Sequence, residues 1–278
     1  MDVEQQPALF DVAALTDVGT EREHNEDCCG TLSVSDAHTL VVVADGVSGS
    51  EGGEVASQKA VEVTLQAYRE QSDAVAAAKR LARAVQQANI EIHDMALVVP
   101  ELRGMATTIT AVVVVGSELV AAHVGDSRLF LIRDGRISQL TKDHTVPAER
   151  ARMGLLKKEK VQNHPDRSTL TRSLGREMIA SIDRLSAPVG RGDRLVVCTD
   201  GLYNVLPEDE IARLACASPP AQACRAIIDA ANAFGTSDNL TAAVLHVTDR
   251  APVLSRPEGR FARMIKTLIG KRPGELPG

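Results

Sequence analysis

Two segments of this 278-residue chain repeat one design: Leu40-Val41-Val42-Val43-Ala44-Asp45-Gly46 and Leu195-Val196-Val197-Cys198-Thr199-Asp200-Gly201. Each is an apolar run too short and too β-branched for a helix, so it reads as a buried strand. Each ends in a carboxylate on a rigid element, followed by a glycine that allows a sharp turn and a close approach. More than 150 residues separate the two, so a fold that accommodates both brings distant carboxylates to strand ends. Hard divalent cations take oxygen ligands of this kind.

The strands expected from pattern, the twin runs included, cover residues 8–18, 39–44, 107–115, 118–124, 128–132, 137–140, 194–198 and 239–247. Asp134-Gly135 favours a type I′ hairpin turn between the fifth and sixth of these. Helices are expected over 53–69, from an N-cap at Ser72 to about residue 95, over 207–215 with Pro207 in the first turn, and over 219–234. Residues 143–168 are polar and turn-rich, with short helical pieces around 147–153 and 157–161, and strand signals resume at Thr169. Strands in blocks with helix pairs between them suit an antiparallel α+β layering better than a βαβ repeat. No Pro/Gly/Ser-rich linker divides the chain before Thr248, so residues 1–248 are expected to form a single domain.

The tail, 249–278, carries Arg256, Arg260, Arg263, Lys266, Lys271 and Arg272, with Phe261, Met264, Ile265 and Leu268 at helical spacing. A solvated or packed C-terminal helix is the first reading; an amphipathic helix touching a membrane surface is the second. Only 2% of the chain is aromatic, so the core must be built from Val, Leu, Ile and Ala. A formal net charge of -6 argues against nucleic-acid binding. Cys28, Cys29, Cys198, Cys216 and Cys224 contain no CxxC pair, which suits reduced thiols in a cytoplasmic protein. The N-terminus lacks the basic start of a signal peptide, and no apolar run approaches the ~20 residues of a membrane span.

Six carboxylates stand out by context: Glu26 and Asp27 after the first strand, Asp45 and Asp200 on the twin strands, Asp126 in His123-Val124-Gly125-Asp126, and Asp238 before the last strand. An Asp at a strand end is usually only a turn residue. Their recurrence at strand ends is what suggests convergence, and converging carboxylates repel unless cations neutralise them. Two divalent ions activating water suit phosphoryl transfer, in which an enzyme mainly positions groups and neutralises charge. Arg22 then serves as a phosphate clamp, since guanidinium offers paired donors to phosphate oxygens.

At these residues the chain resembles the metal-dependent serine/threonine protein phosphatases (PPM, or type 2C), and most closely their compact bacterial members. The matching motifs are Thr16-Asp17-Val18-Gly19 with Arg22 and Glu26-Asp27; Val43-Ala44-Asp45-Gly46 with Gly52-Gly53-Glu54; Gly104-Met105-Ala106-Thr107-Thr108; Val124-Gly125-Asp126-Ser127-Arg128; Asp143-His144; Leu170-Thr171-Arg172-Ser173-Leu174-Gly175; Cys198-Thr199-Asp200-Gly201; and Ser237-Asp238-Asn239. Any one is weak evidence; eight in the family's order are specific.

The resemblance implies an antiparallel β-sandwich flanked on both faces by helix pairs, with a metal cleft at one end. It implies that Asp45 bridges two Mn²⁺ or Mg²⁺ ions, the Gly46 carbonyl holds the first, and Asp200 and Asp238 hold the second. Glu26 binds through waters, Asp27 orients the attacking water, and Asp126 with Asp200 forms a third, weaker site. Residues of about 145–168 correspond to a flap beside the cleft. The implied activity is hydrolysis of phosphoserine and phosphothreonine by hydroxide shared between the two ions, with no phospho-enzyme intermediate. A cognate Ser/Thr kinase is the implied counterpart, phosphorylated proteins the substrates, and a monomer the expected state. The alternatives are a non-catalytic module that binds phosphoproteins or a kinase, and a phosphatase dedicated to one regulatory partner.

Val47, Ser48 and Ser50 depart from the family pattern. Val47 stands where eukaryotic members carry a proposed general-acid His, so the leaving oxygen would take its proton from metal-bound water or another group; His24, His123 and His144 are nearby candidates, each with a structural role as its plainer reading.

Overall fold

A computed structural model describes residues 9–47, 52–249 and 251. Ser48, Ser50 and the basic tail from 252 onward lie outside the described residues.

Among the described residues, ten strands form two five-stranded antiparallel sheets. The first has the order β1 (Phe10–Asp17), β10 (Leu240–Val247), β9 (Arg194–Cys198), β6 (Arg128–Arg133) and β7 (Arg136–Gln139). The second has the order β2 (Asp27–Ser35), β3 (His38–Asp45), β4 (Ile109–Val115), β5 (Glu118–Val124) and β8 (Asp183–Pro188). Helices α1 (Gly53–Glu70) and α2 (Ala77–Val98) cover the second sheet, while α4 (Asp200–Tyr203), α5 (Glu208–Ala217) and α6 (Pro220–Ala233) cover the first. Short α3 (Val146–Arg152) lies in the expected flap segment.

Three apolar layers hold the sandwich together. Val41, Val43, Val112, Val114 and Leu119 meet Leu129, Leu195, Val197 and Leu245 between the sheets. Leu40, Val42 and Ala44 face the other way, against Ala56, Ala60, Leu81 and Val85 of the helix pair. On the far side, Val196, Cys198, Ala242 and Val244 pack on Leu202, Ile211, Ile227 and Ile228. A central strand covered on both faces has no solvated side, so its side chains need not alternate in polarity. That is why both twin segments are unbroken apolar runs.

The Asp134-Gly135 turn has φ of 51° and 71°, the left-handed pair that a two-residue I′ hairpin requires, and it joins Arg133 to its partner Arg136. Two expectations need correction. The Ser72 hydroxyl caps no helix: it accepts from the Ala74 N–H within a turn, and α2 starts at Ala77, where Arg80 reaches back to Asp73 and the Tyr68 carbonyl. No regular strand resumes at Thr169; Leu170 and Leu174 make isolated bridges and the strand begins at Asp183. The unexpected strands β2 and β8 are the two edges of one sheet, half-buried and poor in apolar residues. Among the described residues no helix is long and apolar enough to cross a membrane.

Candidate metal centre

One end of the sandwich opens into a cavity of about 230 Å³ lined by Arg22, Asp45, Gly46, Val47, Thr108, Asp126, Ser168, Leu170, Asp200 and Asp238. Four of the six expected carboxylates therefore share it, each delivered by a different connection. Asp45 ends β3, Asp126 lies in the β5–β6 turn, Asp200 opens α4 directly after β9, and Asp238 precedes β10. Antiparallel registry brings these ends to the same edge.

Asp27 sits behind the cavity wall, paired across β2–β3 with Asp45. It is buried, and its Oδ2 accepts from the hydroxyls of Thr199 and Thr241, both at 2.8 Å. The Glu26 backbone is held on both sides, its carbonyl accepting from the Gly46 N–H and its N–H donating to Asn239 Oδ1, each at 2.9 Å. Its side chain packs against Gly53 at the start of α1 rather than lining the cavity. Arg22 forms an ion pair with Asp238 at 3.0 Å and donates from Nε to the Ser237 carbonyl at 3.1 Å.

Electrostatics shows the cost of this convergence. Removal from water raises the Asp27 pKa to about 7 against the lowering effect of the two threonine hydroxyls, with Asp200 and Asp238 adding to the rise. Burial, then repulsion from Asp27, Asp200, Asp126 and Asp238, pushes Asp45 well above the carboxylate range. Asp126 is raised likewise by burial and by Asp200 and Asp143. Burial and Asp238 raise Asp200 to about 6, moderated by the Asn204 amide, Arg167 and Arg22.

This donor set fits divalent cations. It is all oxygen, multiply anionic and self-repelling, the chemistry of hard ions. Among the described residues no three His, Cys, Asp or Glu side chains close around a single point. The carboxylates share one cavity, a lining that suits ions which keep part of their water shell, as Mg²⁺ does.

The histidines settle on the plainer reading for two of three candidates. His123 is buried, with Nε2 at 3.1 Å from the Lys142 carbonyl and Nδ1 at 2.9 Å from the Thr110 hydroxyl. Burial and neighbouring His144 lower its pKa to about 4, so it is neutral. His144 is also shifted down, by burial and then Arg172, and its Nδ1 accepts from the Gly125 N–H. Neither lines the cavity, nor does His24.

Several supporting residues had no role assigned from the sequence. Thr199 directly follows β9 and Thr241 is a hydroxyl inside the apolar strand β10, a signal that could have marked it. Asn239 donates to the carbonyls of Val18 and His24 while accepting from Glu26, and so ties down the loop that carries Arg22. Ser168 and Leu170, at the end of the expected flap, line the cavity, and Arg167 influences Asp200.

Comparison with known proteins agrees with this geometry. The family model described as Protein phosphatase 2C matches residues 19–244. The serine/threonine phosphatase stp of Listeria monocytogenes is 36% identical over 230 residues, covering 81% of this chain and 91% of that protein. The phosphatase MsPP of Mycobacterium smegmatis, solved in complex with cacodylate, superposes with a TM-score of 0.75 at 34% identity, over 87% of this chain and 100% of that one. The catalytic domain of the phosphatase PstP, solved with two manganese ions, gives a TM-score of 0.75 at 30% identity, over 86% and 99%. With the family model reaching from Gly19 to Val244 and so taking in every cavity carboxylate, this chain belongs to the protein phosphatase 2C family.

Proposed function

We propose that this protein is a metal-dependent phosphatase that hydrolyses phosphoserine and phosphothreonine in proteins phosphorylated by a cognate Ser/Thr kinase. The observation that carries this reading is one cavity lined by four aspartates from four chain connections together with Arg22. Asp45, the Gly46 carbonyl, Asp200 and Asp238 would hold two Mn²⁺ or Mg²⁺ ions, with Glu26 acting through water and Asp126 with Asp200 taking a weaker third. When bound, such ions neutralise the carboxylates, act as Lewis acids and lower the pKa of water.

The chain's own groups do the rest. Arg22, on a loop tied down by Asn239, presents a planar fork that can hold Asp238 and a phosphoryl oxygen together. Asp27, fixed through one oxygen by two threonine hydroxyls, leaves its other oxygen to orient water at the cavity wall. No cysteine lines the cavity, and burial pushes the Cys198 thiol up to about 12, which supports hydrolysis without a covalent intermediate. Val47 lines the site as an apolar group, so the proton for the leaving oxygen comes from elsewhere than this position.

The test is hydrolysis of phosphoserine and phosphothreonine peptides with Mn²⁺, Mg²⁺ or chelator. Turnover is expected only with metal. Arg22→Ala should raise KM about tenfold or more, the loss of a charged hydrogen bond to phosphate, with a smaller change in kcat. Full turnover in chelator would overturn the reading. Binding of phosphopeptide without turnover would instead identify a non-catalytic module.

A further inference from the structure

The Asp126 carboxylate faces the cavity, but its backbone is gripped from outside by residues with no role so far. The preceding Gly125 is bonded twice to His144: the His144 N–H donates to the Gly125 carbonyl at 2.8 Å, and the Gly125 N–H donates to His144 Nδ1 at 3.1 Å. Gly125 has φ +110°, and a Cβ there would meet Thr108 Cβ and Cγ2 at 2.5 Å, so no other residue fits this turn. The Asp126 carbonyl accepts from the Tyr203 hydroxyl at 3.2 Å. On the far side, Ser127 Oγ meets Thr108 Oγ1 at 2.8 Å, and that same threonine oxygen accepts from the Asp45 N–H at 3.1 Å.

Tyr203 is the informative member. It stands three residues after Asp200 in α4, so both project from the same side of one short helical turn. One turn of backbone thus carries Asp200 into the cavity and a hydroxyl onto the Asp126 carbonyl. The Tyr203 ring is held in turn by the Arg128 guanidinium, 3.6 Å from its centroid. Arg128 is fixed by Asp143, with Nη2 at 2.7 Å from Oδ2 and Nε at 3.2 Å from both oxygens. Asp143 is the neighbour of His144, so one dipeptide supports both grips. His144 Nε2 lies 3.3 Å from Asp183, which Arg172 contacts at 2.8 Å.

We infer that Tyr203 and the Asp143-His144 dipeptide are positioning residues that set the separation of Asp126 from Asp200. The inference rests on the proposed function, in which those two aspartates hold the weaker third ion. Tyr203 and His144 act through backbone groups, Asp143 acts through Arg128 and through its own charge near Asp126, and none of the three lines the cavity. They therefore govern how well the pair is matched to an ion, not whether the pair is present.

The experiment is Mn²⁺ titration of the purified chain by calorimetry and by melting temperature, alongside the Mn²⁺ dependence of phosphopeptide turnover. Tyr203→Phe keeps the ring under Arg128 and removes only the hydroxyl. It should weaken the low-affinity Mn²⁺ phase about tenfold, the usual effect of losing a group that orients a ligand, and leave the tight phase unchanged. His144→Gln should act in the same direction, and Asp143→Asn more weakly, because Arg128 keeps a neutral partner. Wild-type low-affinity binding in both Tyr203→Phe and His144→Gln would overturn the inference. So would equal weakening of tight and weak phases, the mark of general loosening. Asp126→Ala is the control: if it retains the low-affinity phase, the third-site assignment itself fails and the inference with it, whatever Tyr203→Phe does.

Discussion

Replacing Asp45 by Asn is expected to abolish Mn²⁺-dependent phosphopeptide hydrolysis while raising the melting temperature of the metal-free protein. Asp45 feels four other aspartates, which together with burial push its pKa well above the usual range. The folded metal-free chain therefore either strains against that charge or takes up a proton to remove it. Asparagine keeps the shape and deletes the charge. Each pKa unit of raised acidity constant is worth about 1.4 kcal/mol, and each kcal/mol moves the melting temperature of a chain this size by about 2–4 °C. A gain of a few degrees is the expected result in chelator. Activity moves the other way: losing a carboxylate proposed to hold the ions should cost at least about a thousandfold, several kcal/mol of charge stabilisation. A mutant that keeps full activity would remove Asp45 from the site. A mutant that melts lower in chelator would show that the convergence carries no repulsive cost.

The second large effect is a pH dependence that metal should erase. In the folded metal-free protein Asp27 is raised to about 7 and Asp200 to about 6, while burial and mutual repulsion push Asp45 and Asp126 well above their ordinary value of 3.8. Above pH 4 the folded state thus binds more protons than the unfolded one, and stability falls as pH rises through the folded values. His123, lowered to about 4, and His144, also lowered, work in the opposite sense: the unfolded chain binds their protons more readily, so their contribution to stability grows as pH rises to about 6.5. The two sets oppose each other below that point. Above about pH 6.5 the carboxylates dominate, and chelated protein should lose up to about 1.4 kcal/mol per pH unit for each extra proton the folded state still holds. Saturating Mn²⁺ keeps the carboxylates ionised across the range, so the slope should vanish in loaded protein. Melting curves at pH 6.5, 7.25 and 8, with and without metal, measure this directly. A flat chelated profile would mean that the aspartates do not repel as the geometry indicates.

Much of the fold was legible because its local signals are strong. The twin apolar runs, the Asp134-Gly135 hairpin and helices α1, α5 and α6 follow from periodicity and turn chemistry within short windows. The misreadings have local causes. Strands β2 and β8 are half-solvated edges poor in apolar residues, β2 carrying Asp27, Gly30, Thr31, Ser33 and Ser35 and β8 Asp183, Arg184 and Ser186, so no apolar run marks them. Ser72 looked like a helix cap because serine is a good one, but its hydroxyl was taken by a turn instead.

The candidate site divides along the same physical line. The types of its groups were set in the sequence: a carboxylate ending an apolar strand can be recognised wherever it occurs, and Arg22, Glu26, Asp27, Asp45, Asp126, Asp200 and Asp238 in family order marked the chemistry. Which of them meet, and what restrains them, belonged to tertiary structure alone. Asp27 and the hydroxyls of Thr199 and Thr241 are more than 170 residues apart in the chain, and Tyr203 reaches Asp126 across 77. The neutrality of His123 comes from burial, which no neighbouring residue in the sequence encodes. Local pattern decides how a segment presents its side chains. Only the registry of two sheets and the depth of burial decide which charges face each other, and therefore how strongly they call for a cation.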